Sequence, residues 1–142
     1  MLFRSDGRVA EDFKLTSGTW VSVGTLRVRV VSALAPLAQD VVITGHERSD
    51  IGAVVFLTEA ARALPREQVA AHVRGLLVAL HREAGGSSQA PARALLLADG
   101  PNAAAGEITD KGYLNQRLVL ARRAADVEAL YTMPLDARVI LA

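Results

Sequence analysis

Two short segments, 40–44 (DVVIT) and 51–58 (IGAVVFLT), are apolar at odd and even positions alike. Successive side chains of a strand point to opposite faces, so segments of this kind need cover on both sides. The polar stretch Gly45-His46-Glu47-Arg48-Ser49-Asp50 between them predicts a hairpin turn, with His46, Glu47 and Arg48 solvated. A third strand is expected from Arg93 to Ala98. The cover is predicted to be helical. Pro65 opens a segment in which Val69, Val73, Leu76, Leu77 and Leu80 recur at helical spacing to about Arg82. His72 and His81 lie on or beside that stripe and read as packed or snorkelling residues. Val23 to Leu34 reads as a helix with Leu26, Val30 and Ala33 on one face, although its valines favour strands. Tyr113 to Tyr131 reads as one last helix, with Leu114, Leu118, Ala121, Ala125 and Leu130 inward and Arg117, Arg122, Arg123, Asp126 and Glu128 outward. The tail from Thr132, which holds Pro134, is either a final strand or a loop. Ahead of all this, residues 12–15 and 19–22 read as a small hairpin turning at Thr16-Ser17-Gly18. The predicted class is therefore α+β: an N-terminal β-hairpin followed by a small mixed sheet of about three strands packed with helices.

At 142 residues, 51% of them hydrophobic and 22% charged, the chain fits one domain with a real core. A net charge of +1 and the lack of a basic stripe argue against a nucleic-acid partner. With no Cys there is no disulfide, thiolate metal site or cysteine nucleophile. The three His lack ligand spacing, so no metal site is expected. No apolar run reaches the roughly 18 residues of a membrane span, and MLFRSDGR is not a signal peptide. The expectation is a cytoplasmic protein with no membrane partner.

Of sixteen basic residues only Lys14 and Lys111 are lysines. Arg does not replace a lysine needed as a compact, movable ammonium. Lys14 belongs to the hairpin. Lys111 belongs to GEITDKGYLNQR, which follows a loop at 99–106 and is expected on exposed, movable backbone.

Around these two lysines the sequence resembles a known family. Gly7-Arg8, Glu11, Phe13-Lys14, Ser17-Gly18 and Trp20 match the stretch that opens the C-terminal domain of adenylate-forming acyl-CoA synthetases. Gly106 to Tyr113, running into Asn115-Gln116-Arg117, resembles the last motif of that family, which contains its lysine. The wording is closest to feruloyl-CoA synthases, and the resemblance spans about residues 5–131. It implies a two-step reaction, in which a carboxylic acid and ATP give an acyl-adenylate and CoA thiol then displaces AMP. It implies that Lys111 is the adenylation lysine and that Arg8 binds the adenylate. Ala10 stands at the hinge, where the family has Asp or Lys. Lys14, Ser17, Gly18, Thr19 and Trp20 fall on the loop that lines the CoA channel in the thioester step. Gly24-Thr25-Leu26-Arg27 stands where the family has Glu-x-Ile-Glu.

The implied substrates are ATP, CoA and a carboxylic acid, with an aromatic, hydroxycinnamate-like acid among the candidates. Mg would accompany ATP. A phosphate loop and an acyl pocket are absent from the sequence and belong to the family's large N-terminal domain, the expected partner. The chain is thus expected to be a single mobile C-terminal domain, inactive by itself. The alternative is a non-catalytic binding module on the same fold.

Overall fold

The computed structural model describes residues 11–84 and 89–142. Arg8 and Ala10, predicted as adenylate contact and hinge, lie outside them. The chain forms β1 (Phe13–Lys14), β2 (Trp20–Val21), α1 (Val23–Leu34), β3 (Ala38–Thr44), β4 (Gly52–Leu57) and α2 (Glu59–Arg62). It continues through α3 (Arg66–Glu83), β5 (Arg93–Leu97), α4 (Gln116–Arg122), α5 (Ala124–Ala129) and β6 (Val139–Leu141). β1 and β2 form an antiparallel hairpin, and the other strands form one sheet in the order β3-β4-β5-β6. β4 and β5 run parallel, while the two outer pairings are antiparallel. The class is α+β, as expected, with a fourth strand supplied by the tail.

The sheet is covered on both faces, as its strands require. Val41, Ile43, Ala53, Val55, Leu57, Ala94 and Leu96 pack with α1, α3 and the hairpin residues Phe13, Leu15 and Val21. Val42, Val54, Phe56, Leu95 and Leu97 point the other way, onto Leu114, Val119 and Leu130. This alternation places the N-terminal hairpin on one face of the sheet and the Lys111 segment on the other.

Three local expectations are corrected. The predicted last helix breaks at Arg123, whose backbone (φ −108°, ψ 34°) ends α4 and starts α5. As a result Ala121 and Ala125 are exposed, whereas the Arg123 side chain turns inward and is only 12% exposed. On α3, His72 is exposed, and His81 is half-buried against the Pro91 carbonyl at 2.6 Å. In the β3–β4 turn, Arg48 is drawn out of solvent by an ion pair with Glu128 at 2.6 Å and by the face of Tyr131, 4.6 Å from its ring centre.

Candidate functional site: two arms carrying the two lysines

The first arm is the β1–β2 hairpin. Lys14 pairs with Trp20 and Phe13 with Val21. The alternation buries Phe13 and Val21 and leaves Lys14 and Trp20 outside. Gly18 takes φ +87°, a left-handed conformation that glycine adopts without cost, and its N–H donates to Leu15 O at 2.8 Å. Ser17 Oγ lies 2.9 Å from Thr19 Oγ1 across the turn. Trp20 is 60% exposed, with Lys14 Nζ 5.3 Å from its ring centre. The arm is seated on the β3–β4 turn by backbone bonds from Thr16 N to Arg48 O and from Glu47 N to Lys14 O, at 2.9 and 3.1 Å. Asp12 joins it to α1 by accepting from Val23 N at 2.9 Å, a helix cap supplied from outside the helix because Ser22 makes none.

The second arm runs from Glu107 to Asn115 and carries Lys111. It is a β-turn with short flanks. Gly112 N donates to Thr109 O at 2.9 Å, Thr109 N to Tyr113 O at 2.7 Å, and Asn115 N to Glu107 O at 2.7 Å. Ile108 bridges Leu114. Gly112 sits at φ +86° and Gly106, at the root, at φ +90°. Lys111 and Tyr113 are exposed at the tip, and Leu114 is buried. The expectation of an exposed segment is met at the tip, but the backbone is bonded from root to tip.

The root holds what the sequence did not reveal. Glu107 is fully buried. Its Oε1 accepts from Asn102 N at 2.6 Å and Arg123 Nη2 at 3.0 Å. Its Oε2 meets Arg123 Nε at 2.9 Å and Arg122 Nη1 at 2.8 Å. Arg123 also pairs with Asp99 at 3.1 Å and lies 4.9 Å from the ring centre of Phe56. The Arg123 guanidinium, with the Asn102 N–H and Arg122, outweighs burial and holds the Glu107 carboxyl down to about 2. Reciprocally, Glu107 raises Arg123.

An open cleft of about 1120 Å³ separates Lys111, Asp110 and Tyr113 from α1 residues Gly24, Arg27, Val28 and Val31. Gln39 and Asp40 of the outer strand β3 also line it, and along the outer edge of that strand side chains meet the outward main-chain groups. Arg27 Nε donates to Val41 O at 3.2 Å, and Asp40 Oδ1 accepts from Val41 N at 2.8 Å. Gln116, buried at the start of α4, accepts from Ile43 N at 3.1 Å and donates to Ile43 O at 2.7 Å. The outward main-chain groups of Val41 and Ile43 are thus satisfied by side chains, which disfavours pairing of another strand along this edge. Lys14 and Trp20 line a different hollow, with Asp12, Phe13 and His46. The structure therefore does not bring the two sets of predicted residues together; the clefts have no lining residue in common.

Among the described residues no three His, Asp or Glu side chains come together as a metal site. Among the described residues no helix is long and apolar enough to cross a membrane.

A family model described as "AMP-binding enzyme C-terminal domain" matches residues 14–134. The chain belongs to this family. Solved structures agree. The adenylation (A) domain of the carboxylate reductase GR01_22995 from Mycobacterium chelonae matches with a TM-score of 0.73 and 25% identity over 87% of the chain. The A-PCP didomain of carboxylic acid reductase from Segniliparus rugosus, in complex with AMP, matches with a TM-score of 0.70 and 26% identity over 85%. The A domain of the same organism's reductase, with AMP and a co-purified carboxylic acid, gives 0.71 and 25% over 87%. The AMP-binding C-terminal domain spans only 17–20% of those chains. No curated protein sequence matches it.

Proposed function

We propose that this domain serves an enzyme that activates a carboxylic acid with ATP and passes the acyl group to a thiol. In the first step a carboxylate oxygen attacks the α-phosphorus and pyrophosphate leaves. In the second a thiol sulfur attacks the acyl carbon and AMP leaves. Lys111 is the adenylation cation, placed where negative charge develops between carboxylate and α-phosphate. The hairpin residues Lys14, Ser17, Gly18, Thr19 and Trp20 line the thiol path of the second step. Arg8 contacts the adenylate and Ala10 is the pivot. A larger N-terminal domain holds ATP with its Mg and the acid.

The observation that carries this reading is the exposed Lys111 at the tip of a bonded arm, over an open cleft, in a chain of this family with two structural neighbours that were solved with AMP. The placement of the two arms on opposite faces of the sheet supports alternating use, because one orientation presents one face to a reaction centre.

The acceptor thiol distinguishes two versions. The sequence resemblance favours a feruloyl-CoA synthase-like acid–CoA ligase, with free CoA as acceptor and an aromatic acid as substrate. The neighbours favour a carboxylic acid reductase arrangement, in which an A domain is coupled to a carrier domain. The test is made in the intact enzyme, by measuring ATP–pyrophosphate exchange and thioester formation from a supplied acyl-adenylate. For Lys111→Ala the exchange is expected to fall by about 10²–10³-fold while the second step persists. Unchanged exchange would remove Lys111 from the chemistry. Adding free CoA or a carrier domain as acceptor then separates the two versions.

A further inference from the structure

The arm that carries Lys111 has an anchor of unusual composition for a surface loop. Three segments converge on one buried carboxylate: the 99–102 loop through Asn102 N, the arm root at Glu107 itself, and the α4–α5 junction through Arg122 and Arg123. A buried ion cluster is not an efficient source of stability, because desolvation offsets most of the attraction and apolar side chains of similar volume do as well. What it does provide is fixed direction, since each carboxylate oxygen is bound from two sides.

We infer that Glu107 is a positioning residue for Lys111. It acts through the arm and does not touch substrate. This rests on the reading of Lys111 as the adenylation cation. The lever explains why a remote carboxylate matters. From Glu107 to Lys111 the flank and turn reach at most about 13 Å, and less through the turn at 109–112, so a tilt of roughly 5–10° at the root moves the tip by on the order of 1 Å. A displacement of that size at a reacting centre costs up to about 100-fold in rate. The break of the last helix at Arg123 belongs to the same device. It turns the guanidinium inward over Phe56, into reach of both Glu107 oxygens.

The experiment uses the intact enzyme and both half-reactions. Glu107→Gln keeps the shape and removes the charge. It is expected to lower ATP–pyrophosphate exchange about 10- to 100-fold, with thioester formation from supplied acyl-adenylate within about twofold of wild type. In a Lys111→Ala background Glu107→Gln is expected to leave the residual exchange unchanged, because nothing remains to be positioned. Should Glu107→Gln fail to fold, Arg122→Met, which keeps the Glu107–Arg123 pair, carries the same test with a loss of about threefold. Equal losses in both half-reactions, or full additivity with Lys111→Ala, would overturn the inference. If Lys111→Ala lowers exchange and the Glu107 and Arg122 variants do not, the positioning role fails alone. If Lys111→Ala itself leaves exchange intact, the reading beneath it fails.

Discussion

The two arms are alike at the tip and unlike at the root. Each is a tight turn with a glycine near φ +87°, and each exposes one of the two lysines and one large aromatic, Trp20 or Tyr113. The hairpin is rooted by apolar burial, with Phe13, Leu15 and Val21 sunk into the core beside α1 and α3. The Lys111 arm is rooted by a buried carboxylate and two arginines, with Leu114 as its apolar contact on the opposite face. Apolar burial is non-directional and independent of charge state. An ion cluster is directional and depends on pH. The difference teaches that the two arms, though similar in shape, should respond to different perturbations.

The largest difference is expected from deleting each anchor. Glu107→Ala takes from Arg123 its buried partner, leaving only the exposed Asp99, and leaves Asn102 N without its acceptor, so urea unfolding should show a loss of about 3–5 kcal/mol. Leu15→Ala leaves a cavity in the core and should cost about 2–4 kcal/mol. A Glu107→Ala loss below that of Leu15→Ala would mean that Arg122 and Arg123 are satisfied without the carboxylate, by Asp99 or by solvent.

Acid should separate the roots next. The Glu107 carboxyl is lowered from 4.5 to about 2 in the folded chain, so the unfolded chain binds more protons between those values. Its contribution, on the order of 3 kcal/mol, is complete above about pH 4.5 and is lost as the pH falls toward 2. Asp136, held down to about 2 by Arg138, titrates in the same window. Glu107→Gln should therefore flatten the pH profile of stability only in part, while Leu15→Ala lowers the whole profile without changing its shape. Parallel profiles for wild type and Glu107→Gln would contradict the assignment.

The turns themselves should behave alike. Neither Gly18 nor Gly112 has an atom within 4 Å of an added Cβ, so substitution strains the backbone without a clash. Gly18→Ala and Gly112→Ala should each cost about 1–2 kcal/mol. A large inequality would show that one turn holds contacts that the other lacks. Smallest of all, Lys14→Ala should change stability by less than about 1 kcal/mol, since an exposed lysine over an indole contributes little.

What the sequence made legible was local. The limits of α1 and the hairpins at 13–21 and 38–57 follow from alternation, turn glycines and prolines, all within a few residues of one another. Val28, Val30 and Val31 argued for a strand. The helix wins because Leu26, Val30 and Leu34 lie on one of its faces and are buried in the core. The anchor of the Lys111 arm stayed hidden because its parts are far apart in sequence. Glu107 lies 16 residues from Arg123, beyond the reach of any local pattern. Read in one dimension, Arg122 and Arg123 were ordinary outward residues of an amphipathic helix. Only the break at Arg123 turns one of them inward, and that break answers to a buried charge which no periodicity encodes. The lysines were legible for a different reason: in a chain that otherwise uses Arg, both fall within the motifs.

The central claim is that the two arms serve different steps. The direct measurement places Lys111→Ala and Trp20→Ala side by side in the intact enzyme and follows both half-reactions. The account predicts a crossed pattern. Lys111→Ala abolishes most ATP–pyrophosphate exchange and spares thioester formation from acyl-adenylate. Trp20→Ala spares exchange and slows the thioester step. Two variants that impair the same half-reaction, or both equally, would contradict it.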